Sequence, residues 1–191
     1  MRLRPSFRLL RLLPLIAILG AEACTASRNA ADIPRPMTER EYLRSRKMMV
    51  PVHGFRRSHL RDTYNARRSG GRAHLGLDVM ARRGTRVVAA DAGIVRRIDS
   101  NALGGRTVYV VDHAGRFVHY SAHLDRWAPN LKVGIRVRRG QLLGTVGTSG
   151  NAPANAPHLH YQLLRYRNTR MWWTGDPVNP IPYLKKKGRA R

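Results

Sequence analysis

A single cysteine, Cys24, stands in this chain of 191 residues. No internal disulfide can form, and a cysteine-based zinc site is excluded. Acidic residues are also scarce: 11 Asp and Glu face 36 Lys and Arg, a formal net charge of +25. A field of that sign attracts polyanions such as nucleic acid, anionic lipid or the acidic polymers of a bacterial envelope. The arginines are spread through the chain rather than packed in one block. No aromatic-basic stacking motif accompanies them, so nucleic acid is not the expected partner. There is no internal repeat and no HExxH to supply a glutamate base. No apolar run is long enough to span a bilayer as a stable helix. What remains is ordinary globular material, 42% hydrophobic and 25% charged, too apolar for a disordered tail.

Processing and linker segments account for the N-terminus. Arg2, Arg4, Arg8 and Arg11 precede an apolar run from Leu12 to Gly20. Ala21-Glu22-Ala23 then fits the small-x-small cleavage rule, which predicts a signal peptide over residues 1–23 and export to the periplasm or cell envelope. Cys24 sits where bacterial lipoproteins carry their lipidated cysteine. Ala21 and Glu22 depart from that pattern, so plain cleavage is the expectation and membrane contact would come only through a lipidated Cys24. Residues 24–50 read as a polar linker with a short helix around Glu39 to Lys47.

From Pro51 to Leu184 the pattern is that of one domain. Short β-type runs cover 86–90, 94–98, 107–111, 116–121, 136–138, 141–146 and 158–164, punctuated by glycines such as Gly93, Gly115, Gly134 and Gly140. This spacing predicts an all-β fold, a compact antiparallel sheet or barrel-like core with a loop-rimmed cleft. Asp176 to Tyr183 is proline-rich and expected to lie extended on the surface. Residues 185–191 form a basic tail.

Two short motifs carry the chemistry. His74-Leu-Gly-Leu-Asp78 is an HxxxD and His158-Leu-His160 an HxH. Alternate residues of a strand share a face, so His158 and His160 point the same way but stand about 6.5–7 Å apart. That suits one metal ligand and one group with another role. His74 and Asp78 can converge on an ion if the chain bends between them, and Gly76 is the residue that permits a bend. His74, Asp78 and one histidine of the pair make a nitrogen–oxygen set that one zinc ion accepts, with a fourth position left for water. Such a site produces a nucleophile at neutral pH and points to hydrolysis.

The order of motifs resembles the lysostaphin/LytM-type zinc metallopeptidases, which cut peptide bonds in bacterial peptidoglycan. The resemblance runs over about residues 51–184: Pro51-Val52-x-Gly54, Arg72-x-His74-x-x-x-Asp78, Gly84-Thr85-x-Val87, Asp91-Ala92-Gly93-Ile94-Val95, Tyr120-Ser-Ala-His123-Leu124, the glycine-rich stretch from Val137 to Gly150, and Pro157-His158-x-His160. It implies one zinc per chain held by His74, Asp78 and His160, with His123 and His158 as the catalytic histidines, either of which can be the base. It also implies peptidoglycan peptide stems as substrate. The family usually places Tyr two residues before its central histidine. Here Ser121 holds that position and Tyr120 lies one further back, which puts the tyrosine's place in the cleft in question. Some relatives lose ligands and act as non-catalytic wall-binding or hydrolase-activating domains; the ligand set here is complete.

Asn65 and Arg72 flank the first motif and are candidate substrate contacts, Arg72 through a substrate carboxylate. Trp172 and Trp173 follow the HxH strand as either a cleft wall or core packing. His53, His59, His113 and His119 belong to no ligand motif and read as surface or turn residues.

Overall fold

The computed structural model describes residues 36–67, 71 and 73–184. The expected signal peptide, Cys24, Arg72 and the basic tail lie outside the described residues. The chain divides after Pro36 into two units, and the described fold is that of the second.

Thr38 starts the one α-helix of the described residues, α1 (Glu39–Arg46). Its hydroxyl accepts from the Glu41 N–H while Glu41 reaches back to the Thr38 N–H, so two orphan donors of the first turn are satisfied together. Lys47, in the left-handed region at φ 49°, ends it. Tyr42 and Leu43 project from its buried face. Tyr42 stacks on Phe117 and donates to Asp112 Oδ2 at 2.6 Å, while Glu39 pairs with Arg165. Met48 and Val50 beyond it are also buried. Residues 37–50 are therefore packed structure rather than the linker expected there: apolar side chains among the polar ones cover one edge of the core.

Nine strands follow: β1 (Leu77–Met80), β2 (Arg86–Val88), β3 (Gly93–Asn101), β4 (Gly105–Asp112), β5 (Phe117–Trp127), β6 (Arg136–Val137), β7 (Leu142–Val146), β8 (His158–Arg165) and β9 (Pro177–Val178). They form one open sheet ordered β1-β8-β5-β4-β3-β6, with β9 added to β8 and β7 joining β5 and carrying β2. Every pairing between them is antiparallel. The all-β expectation holds. The sheet branches at β5 and β8 instead of closing.

β-branched and aromatic residues fill these strands, as a pleated half-buried surface favours. Alternation then sorts them to two faces. On β8, Leu159, Tyr161 and Leu163 enter the main core; on β5, Phe117 and Leu124 do so. The opposite face carries His158, His160, Gln162 and Leu164 of β8 and Val118, Tyr120 and Ala122 of β5. His119 belongs to the core face. It is 5% exposed and bonds the Tyr161 hydroxyl at 2.7 Å, so it is a buried structural histidine and not the surface residue expected. Val178, on the proline-rich segment expected to lie at the surface, is buried against β8.

Leu43 is 1% exposed in this core. Leu43→Ala is expected to cost about 2–5 kcal/mol through lost burial and a residual cavity. Thermal or urea unfolding checks this, and an unchanged midpoint would restore the linker reading.

Candidate metal centre

Sheet register builds the site. In the β1–β8 ladder Asp78 lies directly opposite His160, and Met80 opposite His158. In the β5–β8 ladder Ala122 opposes His160. Directly opposed side chains on one face have Cβ atoms about 4.5–5.5 Å apart, so pairing alone brings the carboxylate to the imidazole. His74 arrives from the segment before β1, turned inward at Leu75, whose φ is 52°. The Leu75 N–H donates to Tyr64 O at 2.8 Å and holds that turn.

Gly76 has a different task from the bend expected of it. Its own φ is not in the left-handed region. A Cβ there would stand 2.6 Å from His160 Cε1 and 3.0 Å from Nε2. Glycine is needed because the His160 ring lies against the backbone.

Three ligand atoms converge as a result. His74 Nε2 is 2.9 Å from His160 Nδ1, and Asp78 Oδ1 is 3.0 Å from each. The ligand edge of a zinc tetrahedron with bonds near 2.05 Å is about 3.3 Å, so this triangle fits one face of such a shell with small outward adjustment. Burial alone would raise the Asp78 carboxyl, but hydrogen bonds from His160 and His74 outweigh it and hold the acid well below the usual carboxylate range. His74 donates Nδ1–H to Thr63 O at 2.7 Å, which turns Nε2 toward Asp78: protonated it donates to the carboxylate, and deprotonated it offers a lone pair to an ion. Thr63 Oγ1 also accepts from the Asp78 N–H at 3.0 Å. Thr63 thus supports two of the three residues able to share an ion. Sequence reasoning missed it because a lone threonine in a loop carries no pattern.

The two remaining histidines flank the triangle. The His123 ring centroid is 4.9 Å from that of His158 and 5.9 Å from that of His160. Each donates Nδ1–H to a backbone carbonyl, His123 to Ser149 O at 2.9 Å and His158 to Ala156 O at 2.8 Å. Both therefore keep Nε2 for the cleft. Burial, with the neighbouring histidines, pushes the His123 imidazole down to about 4 against the opposing hydrogen bond to Ser149, so it is neutral at pH 7.

A bulge places His123. Ser121 pairs with Val108 and Leu124 with Arg106, so Ala122 and His123 together face Thr107. His123 has φ 60° and donates its N–H to Gly104 O at 2.7 Å. The neighbouring Gly105 backbone lies so close to Ser149 that a Cβ would collide with its carbonyl carbon. This contact sets the carbonyl that orients the ring. The bulge also answers the displaced tyrosine. With one extra residue taken up, Tyr120 stays on the site face, lines the cleft and stands 6.1 Å from the His160 ring.

The cleft has a volume of about 680 Å³ and is rimmed by Leu103, Asn151 and Pro153. Arg67 lines it, while Asn65 is exposed and does not. Trp172 and Trp173 pack beside Tyr109 and Leu164 on the same face of the sheet. Among the described residues, His74, Asp78 and His160 are the group able to share an ion.

The model of peptidase family M23 matches residues 72–180. The chain belongs to this family. The M23 domain is 37% identical over 127 residues to the L-Ala–D-Glu endopeptidase of Bacillus subtilis (strain 168), an alignment covering 63% of this chain and 37% of that protein. It is 35% identical over 119 residues to the glycyl-glycine endopeptidase ALE-1 of Staphylococcus capitis, covering 62% and 31% respectively. Among solved structures it resembles the catalytic domain of lysostaphin from Staphylococcus simulans with a TM-score of 0.52 and 25% identity, over 74% of this chain and 94% of that one. The chain thus matches about a third of the length of the two curated relatives.

Gly76→Ala is expected to displace the His160 ring and weaken metal affinity by about 10- to 100-fold while the sheet remains folded. Competition with a chromophoric chelator measures it. An unchanged affinity would show that the ring does not depend on that space.

Proposed function

We propose that this protein is an exported, zinc-dependent endopeptidase that hydrolyses peptide cross-links of bacterial peptidoglycan, with His74, Asp78 and His160 as the zinc ligands. The observation that carries the reading is the triangle of two imidazole nitrogens and one carboxylate oxygen, about 3 Å on each edge, set in a cleft beside two further histidines. Zinc bound there would polarise the scissile carbonyl and lower the pKa of a water that it binds.

The chain's own residues divide the remaining tasks. Among the described residues, no Asp or Glu besides Asp78 reaches the cleft, so proton transfer falls to histidine. His123 is neutral, and its Nδ1–H is occupied by Ser149; its Nε2 can take a proton from the attacking water and return it to the leaving amine. His158, in the same tautomer by its bond to Ala156, is the second group that can do so, or in its protonated form donate to the developing oxyanion. Burial holds the Tyr120 hydroxyl protonated, so Tyr120 acts only as a hydrogen-bond partner.

Export in this reading rests on the signal peptide over 1–23, and a membrane anchor on Cys24 alone. The positive charge of the chain would hold it against anionic envelope polymers. The two relatives are named for different bonds, L-Ala–D-Glu and Gly–Gly, so substrate is assigned as the peptide part of peptidoglycan and not as one linkage.

Asp78→Ala and His160→Ala are expected to lose zinc and activity together. His123→Ala and His158→Ala should retain stoichiometric zinc and lose about 10²- to 10⁴-fold in turnover, the usual worth of a general acid or base. Elemental analysis and mass spectrometry of muropeptides from digested sacculi, with and without chelator, read both quantities. Zinc bound with sacculi left intact would mark a wall-binding domain without catalysis.

A further inference from the structure

A second cavity of about 290 Å³ opens beside the metal cleft and shares Tyr120 and Gln162 with it. Sheet register lays out its floor. Tyr109 of β4 opposes Tyr120 of β5, and Tyr120 opposes Gln162 of β8. This row crosses three strands two residues along from the Ala122–His160 pair, a step of about 6.5–7 Å. Trp173, on the 3₁₀ turn Trp172–Thr174, forms the outer wall with Thr174, and Leu164 lies between.

The aromatic wall is fixed before any ligand arrives. The Arg97 guanidinium lies 4.3 Å from the Trp173 ring centroid and 5.7 Å from that of Tyr109. Asp99 holds that guanidinium at 2.7 Å and balances its charge. Trp172 meets Trp173 edge-on at 5.7 Å and Tyr109 edge-on at 6.1 Å. The Arg165 N–H donates to Asp176 O at 2.9 Å and ties the following segment to β8.

Chemistry narrows what this space takes. Among the described residues, its lining contains no acid, lysine or arginine. Its two phenols are uncharged donors and acceptors at neutral pH. The ligand is therefore neutral, with a flat apolar face for Trp173 and the tyrosines and a polar edge for hydroxyl and amide groups. Stem peptides carry carboxylates and ammonium groups. The 2-acetamido sugars of the glycan strand are uncharged where the stem is amide-linked, and their pyranose rings offer C–H bonds to a ring face. The cavity is smaller than the roughly 300–1,000 Å³ of drug-sized sites, which suits a single ring.

We propose that the Tyr109–Tyr120–Trp173 cavity is a sugar subsite that binds one 2-acetamido pyranose of the glycan strand, while the adjoining cleft takes the peptide attached to it. This rests on peptidoglycan being the substrate. It makes the protein a reader of the junction between glycan and stem.

The test uses the zinc-loaded full chain and chitotetraose, a neutral oligomer of N-acetylglucosamine, in calorimetric and NMR titrations. Saturable binding is expected. Trp173→Ala should weaken it by about five- to tenfold, the worth of one aromatic contact. Thr174→Arg, at an exposed position, should block it with the tryptophan still present. The ratio of kcat/KM for a sugar-linked stem peptide over the free peptide should fall by a similar factor in both variants. Peptide cleavage without chitotetraose binding, or a free stem peptide that displaces chitotetraose from the cavity, overturns the sugar subsite alone. Chitotetraose binding that responds to both variants, with no peptide cleaved, upholds the subsite and sinks the peptidase reading instead.

Discussion

The pairing of β1 with β8 is the constraint on which the rest depends. Side chains alternate with a period of two, so a slip of one residue would send Asp78 to the core and bring Leu77 or Val79 to the cleft. The sheet resists that slip because Leu77 and Val79 are buried and their alternation fits one face only. Core burial and ligand convergence are thus the same fact seen from two sides of a four-residue strand. Hydrophobic packing against Leu159 and Tyr161 on the neighbouring strand fixes, on the other face, where one carboxylate oxygen stands relative to one imidazole.

Backbone in an uncommon conformation completes what register begins. Leu75 and His123 both have positive φ, a conformation that costs a side-chain-bearing residue about 1–2 kcal/mol. Each is over-determined by a hydrogen bond from its own N–H, Leu75 to Tyr64 and His123 to Gly104. One turns His74 toward the ligand triangle and the other turns the central histidine out of the strand. Strain of this sort persists where surrounding structure compels it. Here the compulsion comes from the Gly104 carbonyl for His123 and from the Tyr64 carbonyl for Leu75. The positions of these two imidazoles are therefore settled by folding.

Much of this was legible beforehand, and the exceptions share a cause. The HxxxD and HxH motifs, whose His74, Asp78 and His160 the fold brings together, the strands of the middle of the chain and the all-β class follow from residue type and period, both local properties. The missed features are relations between distant residues. Thr63 matters only because its carbonyl meets His74 and its hydroxyl the Asp78 N–H. Gly76 reads as a hinge in one dimension and is a space for a ring in three. Tyr120 reads as displaced by one position, and only the bulge at Ala122–His123 returns it to the cleft. Residues 37–50 read as linker because their polar composition outweighs the four apolar side chains that the core buries.

Scarcity of carboxylates makes the division of labour at the site narrower than in a site rich in acids. The described ones are mostly committed elsewhere: Asp91 to Arg46, Asp99 to Arg97, Asp112 to Tyr42 and to the turn before β5, Asp125 to Arg83, Asp176 to Arg167, Glu39 to Arg165. Asp78 alone faces the histidines. A divalent ion on that set would retain net positive charge, since the imidazoles contribute none, and Arg67 at the cleft edge adds to it. Positive charge there would favour the oxyanion that develops in the proposed attack on an amide. It also favours the neutral form of nearby imidazoles, the form that accepts a proton. In the proposed reaction, the same shortage of acid that gives the chain its charge would leave histidine as the proton acceptor and keep it competent for that task.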